Sequence, residues 1–230
     1  MLALLDGDIL CYRIGFSTED ESPTIALYRL DKYIDDITFG AEASDYKVYL
    51  TDSRGNYRNA IYPDYKANRA KLSKPSHYQI IKDYLINHEA AIVATGQEAD
   101  DALGIEQTLL GDESIICSID KDMLMIPGWH YNFVKRDRIY ITPEIGIRKF
   151  YTQILTGDPV DNIPGLKGIG PKKAGKILED CTNEQEFKVK VFDAYKERHS
   201  DLPDEEIRST IERNGRLLWI RRHQNELWCY

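Results

Sequence analysis

The chain has 230 residues, of which 42% are hydrophobic and 30% charged, and its net charge is −8. No apolar run is long enough to span a bilayer, and the composition is that of a globular protein. The four cysteines and five histidines are scattered, which argues against a disulfide framework and against a zinc site and predicts reduced thiols in a cytoplasmic protein.

Apolar runs alternate with stretches of helical spacing through the first 150 residues. Buried strands are predicted for "LALLDGD", "AAIVAT" and "SIICSIDKD", a further strand for "YKVYLTD", and a hairpin or strand pair for "YNFVKRDRIYIT". Helices are predicted for "PTIALYRLDKYIDDITFG", "HYQIIKDYLINHE" and "EADDALGIEQTLLG", whereas "RGNYRNAIYPDYKANRAKLSKPS" is expected to be irregular. The chain is predicted to be mostly helical from "PEIGIRKFYTQIL" onward, with a glycine-rich turn at 165–170. This order predicts an α/β fold with a mainly parallel central sheet covered by helices on both faces, followed by a smaller helical region.

Acidic side chains gather where predicted strands end and where one predicted helix begins. The carboxyl ends of parallel strands lie at one edge of a sheet, so acids distant in sequence are expected to converge there. Carboxylate oxygens suit a hard cation such as Mg²⁺ or Mn²⁺. Simpler alternatives stay open, because acids stabilise the first turn of a helix and aspartate is a common turn residue. The acids concerned are Asp6, Asp52, Glu98, Asp100, Asp101 and Asp120.

The net negative charge by itself argues against binding to nucleic acid. Two segments are nevertheless basic and contain no acid, namely "YKANRAKLSK" and "IPGLKGIGPKKAGK". Acids for a metal and local bases for phosphates are the combination that a metal-dependent nuclease requires.

In the segment "TGDPVDNIPGLKGIGPKKAGKIL", two acids, Asp158 and Asp161, are followed by three closely spaced glycines and then by a lysine-rich helix. Glycines let backbone N–H groups approach a phosphate closely. The glycine spacing alone also fits a plain turn between helices. Together with the acids and lysines it predicts a phosphate-binding turn at Gly165, Gly168 and Gly170.

In their order, these motifs resemble those of the 5′-nuclease family, which includes flap endonucleases and the 5′→3′ exonuclease domain of bacterial DNA polymerase I. The matching segments are "LLDGD", "TDSRGNYR", "YPDYKANR", "EADD", "SIDKDM" and "GDPVDNIPGLKGIGPKKA". The resemblance implies a structure-selective nuclease that hydrolyses DNA by a two-metal mechanism and leaves a 5′-phosphate and a 3′-hydroxyl. Asp8 stands where many relatives have a neutral residue, and a turn role suits it equally well.

The resemblance also implies roles for particular residues. Asp6, Asp52, Glu98, Asp100 and Asp120 are expected nearer a first metal, with Asp101 completing the "EADD" acids. Asp122, Asp158 and Asp161 are expected nearer a second metal. Lys66 and Arg69 are expected to contact the scissile phosphate, and Tyr65 to stack on a base. The residues expected to hold duplex DNA are Gly165, Gly168, Gly170, Lys172 and Lys173.

The resemblance further implies a domain organisation and partners. Residues 1–150 would form the nuclease core, with an arch candidate at 62–88, and residues 151–230 a helical DNA-binding region with a helix–three-turn–helix element near 157–180. A K⁺ ion is expected at that turn. The partner would be DNA with 5′ ends, flaps or nicks, with RNA in RNA–DNA hybrids as a further candidate, bound by a monomer.

Two other functions compete with this one. A haloacid-dehalogenase-type phosphatase begins with the D-x-D that "DGD" imitates, but that class needs Thr or Val where this chain has Leu10. It also leaves "YKANR" without a role. A non-catalytic protein that binds branched DNA is the second competitor, and the presence of all the expected acids disfavours it.

Overall fold

The structure, a computed structural model, describes residues 1–71 and 73–230. Within these residues the chain forms two compact units, each built from separate stretches. The first comprises Met1–Asn56, Leu72–Ile141 and Ile220–Gln224, and the second comprises Tyr57–Lys71, Thr142–Trp219 and Asn225–Tyr230. The division into sequence-continuous domains, 1–150 and 151–230, therefore stays a prediction. The arch candidate, 62–88, includes residue 72, which lies outside the described residues.

Within its described residues, the first unit contains a six-stranded sheet in the order β3-β2-β1-β4-β5-β6. Pairing is parallel throughout β3-β2-β1-β4-β5, and only β6 runs antiparallel, as the partner of β5 in the predicted hairpin. The α/β fold with a mainly parallel sheet is therefore confirmed. The strands are β1 (Leu2–Asp6), β2 (Asp45–Asn56), β3 (Ile92–Gly96), β4 (Ser114–Cys117), β5 (Gly128–Asn132) and β6 (Asp137–Ile141).

Helices cover both faces of this sheet. Ala3 and Leu5 belong to the main apolar core together with residues of α1, α2 and α4, while Leu4 is equally buried and points to the opposite face. Helix α5 packs against β1, β2 and β4. The helices are α1 (Gly7–Ser17), α2 (Pro23–Gly40), α4 (Tyr78–Asn87) and α5 (Ala99–Leu110), with α3 (Tyr57–Ile61) in the second unit.

Three local predictions differ from the structure. Helix α1 begins directly after β1, where only a strand ending was expected. β3 is an edge strand with Ile92 43% exposed, so the prediction of a buried strand was wrong. The segment predicted to be irregular instead contains the end of β2, helix α3 and a 3₁₀ helix at Ala67–Lys71. Local propensity is weak in these short elements, and neighbouring segments determine their conformation.

The second unit is mostly helical, as predicted for the later part of the chain. Buried Arg58 of α3 donates hydrogen bonds from Nε to the Leu217 carbonyl (2.9 Å) and from a terminal nitrogen to the Trp219 carbonyl (2.8 Å). These bonds attach α3 to the end of α9. The remaining elements are α6 (Pro143–Thr156), β7 (Gly157–Asp158), β8 (Ile163–Pro164), α7 (Pro171–Ile177), α8 (Glu184–Arg198) and α9 (Asp204–Leu218).

The lengths and polarity of the helices bear on membrane insertion. Among the described residues, no helix combines the length and the apolar character that crossing a membrane requires.

Candidate active site

Asp6 lies at the carboxyl end of β1, where the sheet brings the next parallel strand beside it. Leu5 pairs with Cys117 in β4, so Ser118, one residue further along, lies next to Asp6. The Ser118 hydroxyl donates a hydrogen bond to Asp6 Oδ2 (3.0 Å), and the Ile9 backbone N–H donates to Oδ1 (3.2 Å) at the start of α1. Asp6 is thus both the N-cap of α1 and a buried carboxylate at the sheet edge.

Other acids approach Asp6 closely enough to affect its protonation. Burial raises the pKa of Asp6 to about 7, and the charges of Asp8 and Asp120 contribute to this increase. Burial also raises the pKa of Asp8, as does the charge of Glu98, although Asp8 Oδ2 accepts the Thr51 backbone N–H (3.1 Å). Acids from β1, α1, the start of α5 and the loop after β4 therefore converge. Asp8, whose role the sequence left open, is part of this cluster.

Asp52 lies inside β2, because the strand continues to Asn56 and does not end at Asp52 as predicted. The Arg54 guanidinium donates to Asp52 Oδ2 from Nε (2.8 Å), and this hydrogen bond lowers the pKa of the carboxyl group. Lys82 of α4 donates to the Thr51 carbonyl (2.9 Å), and its charge acts to lower the pKa of both Asp8 and Asp52. Sequence reasoning missed Lys82, since nothing in the periodicity of α4 distinguishes it from a solvent-exposed lysine.

The acids at the start of α5 divide into two groups. Glu98 is the N-cap and accepts a hydrogen bond from Asn56 Nδ2 (3.1 Å), while Asp100 is half-buried in the first turn. Asp101 is fully buried, and its two oxygens accept the backbone N–H groups of Glu98 (3.0 Å) and Arg221 (3.1 Å). Asp101, predicted as a metal ligand, thus has both oxygens engaged within the fold.

The loop after β4 carries the remaining acids of the first unit. Ser118 Oγ accepts the Asp120 backbone N–H (3.0 Å), and Asp120 Oδ1 accepts the Asp122 N–H (2.8 Å). One hydroxyl therefore orients both Asp6 and the Asp120 backbone. Ser118 follows its strand immediately in "SID", which is the signal that could have identified it.

The donor set fits hard divalent cations. In the described chain, no three or more His, Cys, Asp and Glu side chains are already grouped closely enough to hold a metal ion. The carboxylate oxygens of the predicted ligands instead accept hydrogen bonds from Arg54, Asn56 and backbone N–H groups. Buried Asp6, with a pKa near neutrality, is the group that a bound cation would relieve most.

The two acids predicted beside the glycine-rich turn lie in the second unit. Buried Asp158 accepts the Val160 backbone N–H (2.9 Å). Asp161 binds the Arg69 guanidinium and lies 3.6 Å from Lys66 Nζ. Lys66 and Arg69, both predicted to contact the scissile phosphate, thus interact with the same carboxylate.

Tyr65 adjoins this ion pair. Its hydroxyl donates to Asp161 (3.3 Å), Lys66 Nζ lies 5.0 Å from its ring centroid, and only 4% of the residue is exposed. Stacking on a base would require Tyr65 to leave this position, so that role stays a prediction.

The three glycines of the turn meet different surroundings. A Cβ on Gly165 would lie within 2.3 Å of the Thr156 and Gly157 backbones, so packing requires a glycine here, and its contact with DNA stays a prediction. Gly168, with φ of 79°, and Gly170 face open space that a ligand backbone could approach. Lys172 and Lys173 are exposed beside them, and Lys173 Nζ donates to the Gly168 carbonyl (2.9 Å).

The raised pKa of Asp6 predicts a pH-dependent stability in chelator. An unfolded aspartate loses its proton near pH 3.8, whereas folded Asp6 keeps it to about pH 7, so the folded state loses stability as pH rises through this window. We expect Asp6→Asn to remove this slope and to be more stable than the parent at pH 8, by up to about 4 kcal/mol. Urea unfolding of both proteins in EDTA between pH 4 and 8 measures the difference. A constant difference across this range would contradict the prediction.

The sequence matches the model of the "5'-3' exonuclease, N-terminal resolvase-like domain" over residues 1–151. It is 32% identical over 205 residues to a "5'-3' exonuclease" of Buchnera aphidicola, covering 79% of this chain and 71% of the relative. It is 30% identical to the thermostable DNA polymerase I of Thermus aquaticus over 77% of this chain but only 23% of the polymerase. The structure is similar to that of T5 5'-exonuclease with bound divalent metal ions (zinc), with a TM-score of 0.70, 19% identity and coverage of 94% of this chain and 88% of the other.

Proposed function

Since the chain belongs to the 5′–3′ exonuclease family, we propose that it is a structure-selective, divalent-metal-dependent 5′-nuclease. Its substrate would be DNA with 5′ ends, flaps or nicks, and its products would carry a 5′-phosphate and a 3′-hydroxyl. The observation that carries the proposal is the convergence of acids around buried Asp6 at the carboxyl edge of the sheet. Carboxylates held this close together cost stability, and acids with strongly perturbed pKa values are concentrated at functional sites.

We assign the cation ligands from the family resemblance, which the carboxylate donors of this chain fit. Asp6, Asp52, Glu98, Asp100 and Asp120 would hold the first Mg²⁺ or Mn²⁺. Bound divalent cations lower the pKa of water and stabilise charge on phosphate and leaving-group oxygens. A second cation held by Asp122, Asp158 and Asp161 and a K⁺ ion at the glycine-rich turn stay proposals from the family resemblance, as do cleavage of RNA in hybrids and a monomeric state.

Other residues of the chain would orient the metal-binding acids and offset charge on the phosphate. Ser118 orients Asp6, and Asp101 fixes the backbone of Glu98, so we assign Asp101 to positioning and not to metal binding. Lys66 and Arg69 would offset negative charge that develops on the phosphate oxygens. The negative charge of Asp161 keeps the two basic groups close to one another before DNA binds.

The test is incubation with 5′-labelled flap, nicked, blunt and single-stranded DNA in Mg²⁺, with the first product sized. We expect cleavage near the junction of the flap and no comparable cleavage in EDTA. Phosphate release from nucleotides without DNA cleavage would favour the phosphatase alternative. Binding of branched DNA without cleavage in either Mg²⁺ or Mn²⁺ would favour the non-catalytic one.

The glycine-rich turn predicts a salt effect on DNA binding. Removing one interaction between a lysine and a phosphate group reduces the slope of log affinity against log salt by roughly 0.9 units on duplex DNA. The double change Lys172→Ala with Lys173→Ala should therefore reduce the slope by about one to two units, with the single-turnover rate at saturation unchanged. The measurement is a salt titration of DNA affinity in Ca²⁺, paired with cleavage in Mg²⁺.

A matched control removes two exposed charges elsewhere. Lys135→Ala with Arg136→Ala alters the β5–β6 hairpin by the same net charge and should leave the slope unchanged. Equal slopes in all three proteins would remove Lys172 and Lys173 from the DNA interface.

A further inference from the structure

Two motifs that are about 95 residues apart in sequence are joined side by side within the second unit. β7 and β8 form a short antiparallel hairpin whose tip is 159–162. This tip contacts the segment 64–69, which contains both Lys66 and Arg69. The Lys66 backbone N–H donates to the Asp161 carbonyl (3.0 Å), and Arg69 Nε donates to the Val160 carbonyl (3.3 Å).

Two asparagine side chains bridge the segments in opposite directions. Asn162 Nδ2 donates to the Asp64 carbonyl (2.9 Å). Asn68 Nδ2 donates to the Pro159 carbonyl (3.0 Å) and the Val160 carbonyl (3.2 Å). We call Asn68 and Asn162, with these bonds, the asparagine clasp.

The asparagine clasp surrounds a backbone turn of high energy. Lys66 has φ of 56°, in the left-handed region that residues with a Cβ rarely adopt, and Asn162 has φ of 60°. The Asp64 carbonyl that Asn162 binds also accepts the Ala67 N–H (3.1 Å), which closes the turn around Lys66. Such a conformation persists only where surrounding contacts hold it.

From this geometry we propose that Asn68 and Asn162 are positioning residues, which hold the Lys66 turn so that the ammonium group is placed for the phosphate. Neither asparagine needs to touch DNA for this role. A charge that is correctly placed before the reaction costs no reorganisation when the transition state forms. The proposal rests on the proposed function, because it assumes that Lys66 acts in cleavage.

The tests use the fact that glycine, like asparagine, tolerates a positive φ. Asn162→Gly tolerates the positive φ and removes only the side-chain donor, whereas Asn162→Ala would add backbone strain. Asn68→Ala removes the other half of the clasp. Asn225→Gly is the matched control, since Asn225 is also exposed with φ of 58°.

We expect Asn162→Gly and Asn68→Ala each to lower the single-turnover rate at saturating DNA by roughly 10-fold, because a small misplacement of a catalytic charge is costly. DNA affinity in Ca²⁺ and the thermal midpoint should stay near those of the parent. In chelator, the backbone N–H of Lys66 should exchange its hydrogen faster in both variants and not in Asn225→Gly.

A double-mutant cycle separates positioning of Lys66 from a general structural role. In a Lys66→Ala background, Asn162→Gly should change the rate by less than about twofold, since the group it positions is gone. An equal reduction in both backgrounds, or parental rates in both single variants, would overturn the proposal. If Lys66→Ala itself cleaved at the parental rate, the proposed function of Lys66 would fail instead, while faster hydrogen exchange would still report on the clasp.

Discussion

Asp120→Asn is expected to lower the single-turnover cleavage rate in Mg²⁺ by roughly 10³-fold, while the protein stays folded. Asparagine keeps an oxygen that can accept the Asp122 N–H, so the turn after β4 is preserved. The substitution removes a charge that raises the pKa of Asp6, so stability in chelator should be unchanged or slightly higher. The reduced rate therefore arises from cation binding and not from unfolding.

The sheet itself offers the control for this variant. Asp112 precedes β4 at the opposite end of the same strand, and it is exposed like Asp120. Asp112→Asn should cleave at the parental rate. The measurements are single-turnover cleavage at saturating Mg²⁺ and the thermal midpoint in EDTA, and near-normal cleavage by folded Asp120→Asn would show that the proposed site is wrong.

Lys66→Ala is expected to lower the single-turnover rate by roughly 10²-fold, the cost of one preorganised charge. DNA affinity should change little, because the side chain is proposed to act on charge that develops in the transition state. Alanine and lysine share a Cβ, so the strain of the left-handed turn is the same in both proteins. The ion pair with Asp161 is removed, but Arg69 still neutralises that carboxylate.

The comparison that decides this prediction pairs rate with affinity. Single-turnover rates at saturation in Mg²⁺ and dissociation constants in Ca²⁺ are measured for Lys66→Ala and for Lys190→Ala, which changes an exposed lysine of α8. Lys190→Ala should match the parent in both. Weaker binding with a parental rate at saturation would assign Lys66 to docking of the DNA.

Much of the candidate site was predictable because strand direction follows from element order. Parallel pairing of β1 with β4 places Asp6 beside the loop that carries Asp120, as the alternation of strands and helices predicted. The exposure of strand β3 at the sheet edge and the short helix α3 were not predictable, since burial at a sheet edge and short helices depend on neighbours.

The sequence by itself determined the α/β class and the acidic edge of the sheet, because these depend on periodicity and on residue types next to strand ends. It also indicated the family, through motifs that resemble those of known members. Only the tertiary structure showed that Asp101 is engaged by two backbone N–H groups and that Gly165 is packed against the α6–β7 backbone. It alone showed the asparagine clasp that joins 64–69 to 159–162. The physical reason is that burial and hydrogen-bond partners come from segments far apart in the chain, and no local pattern records which carbonyl or N–H group a given side chain will meet.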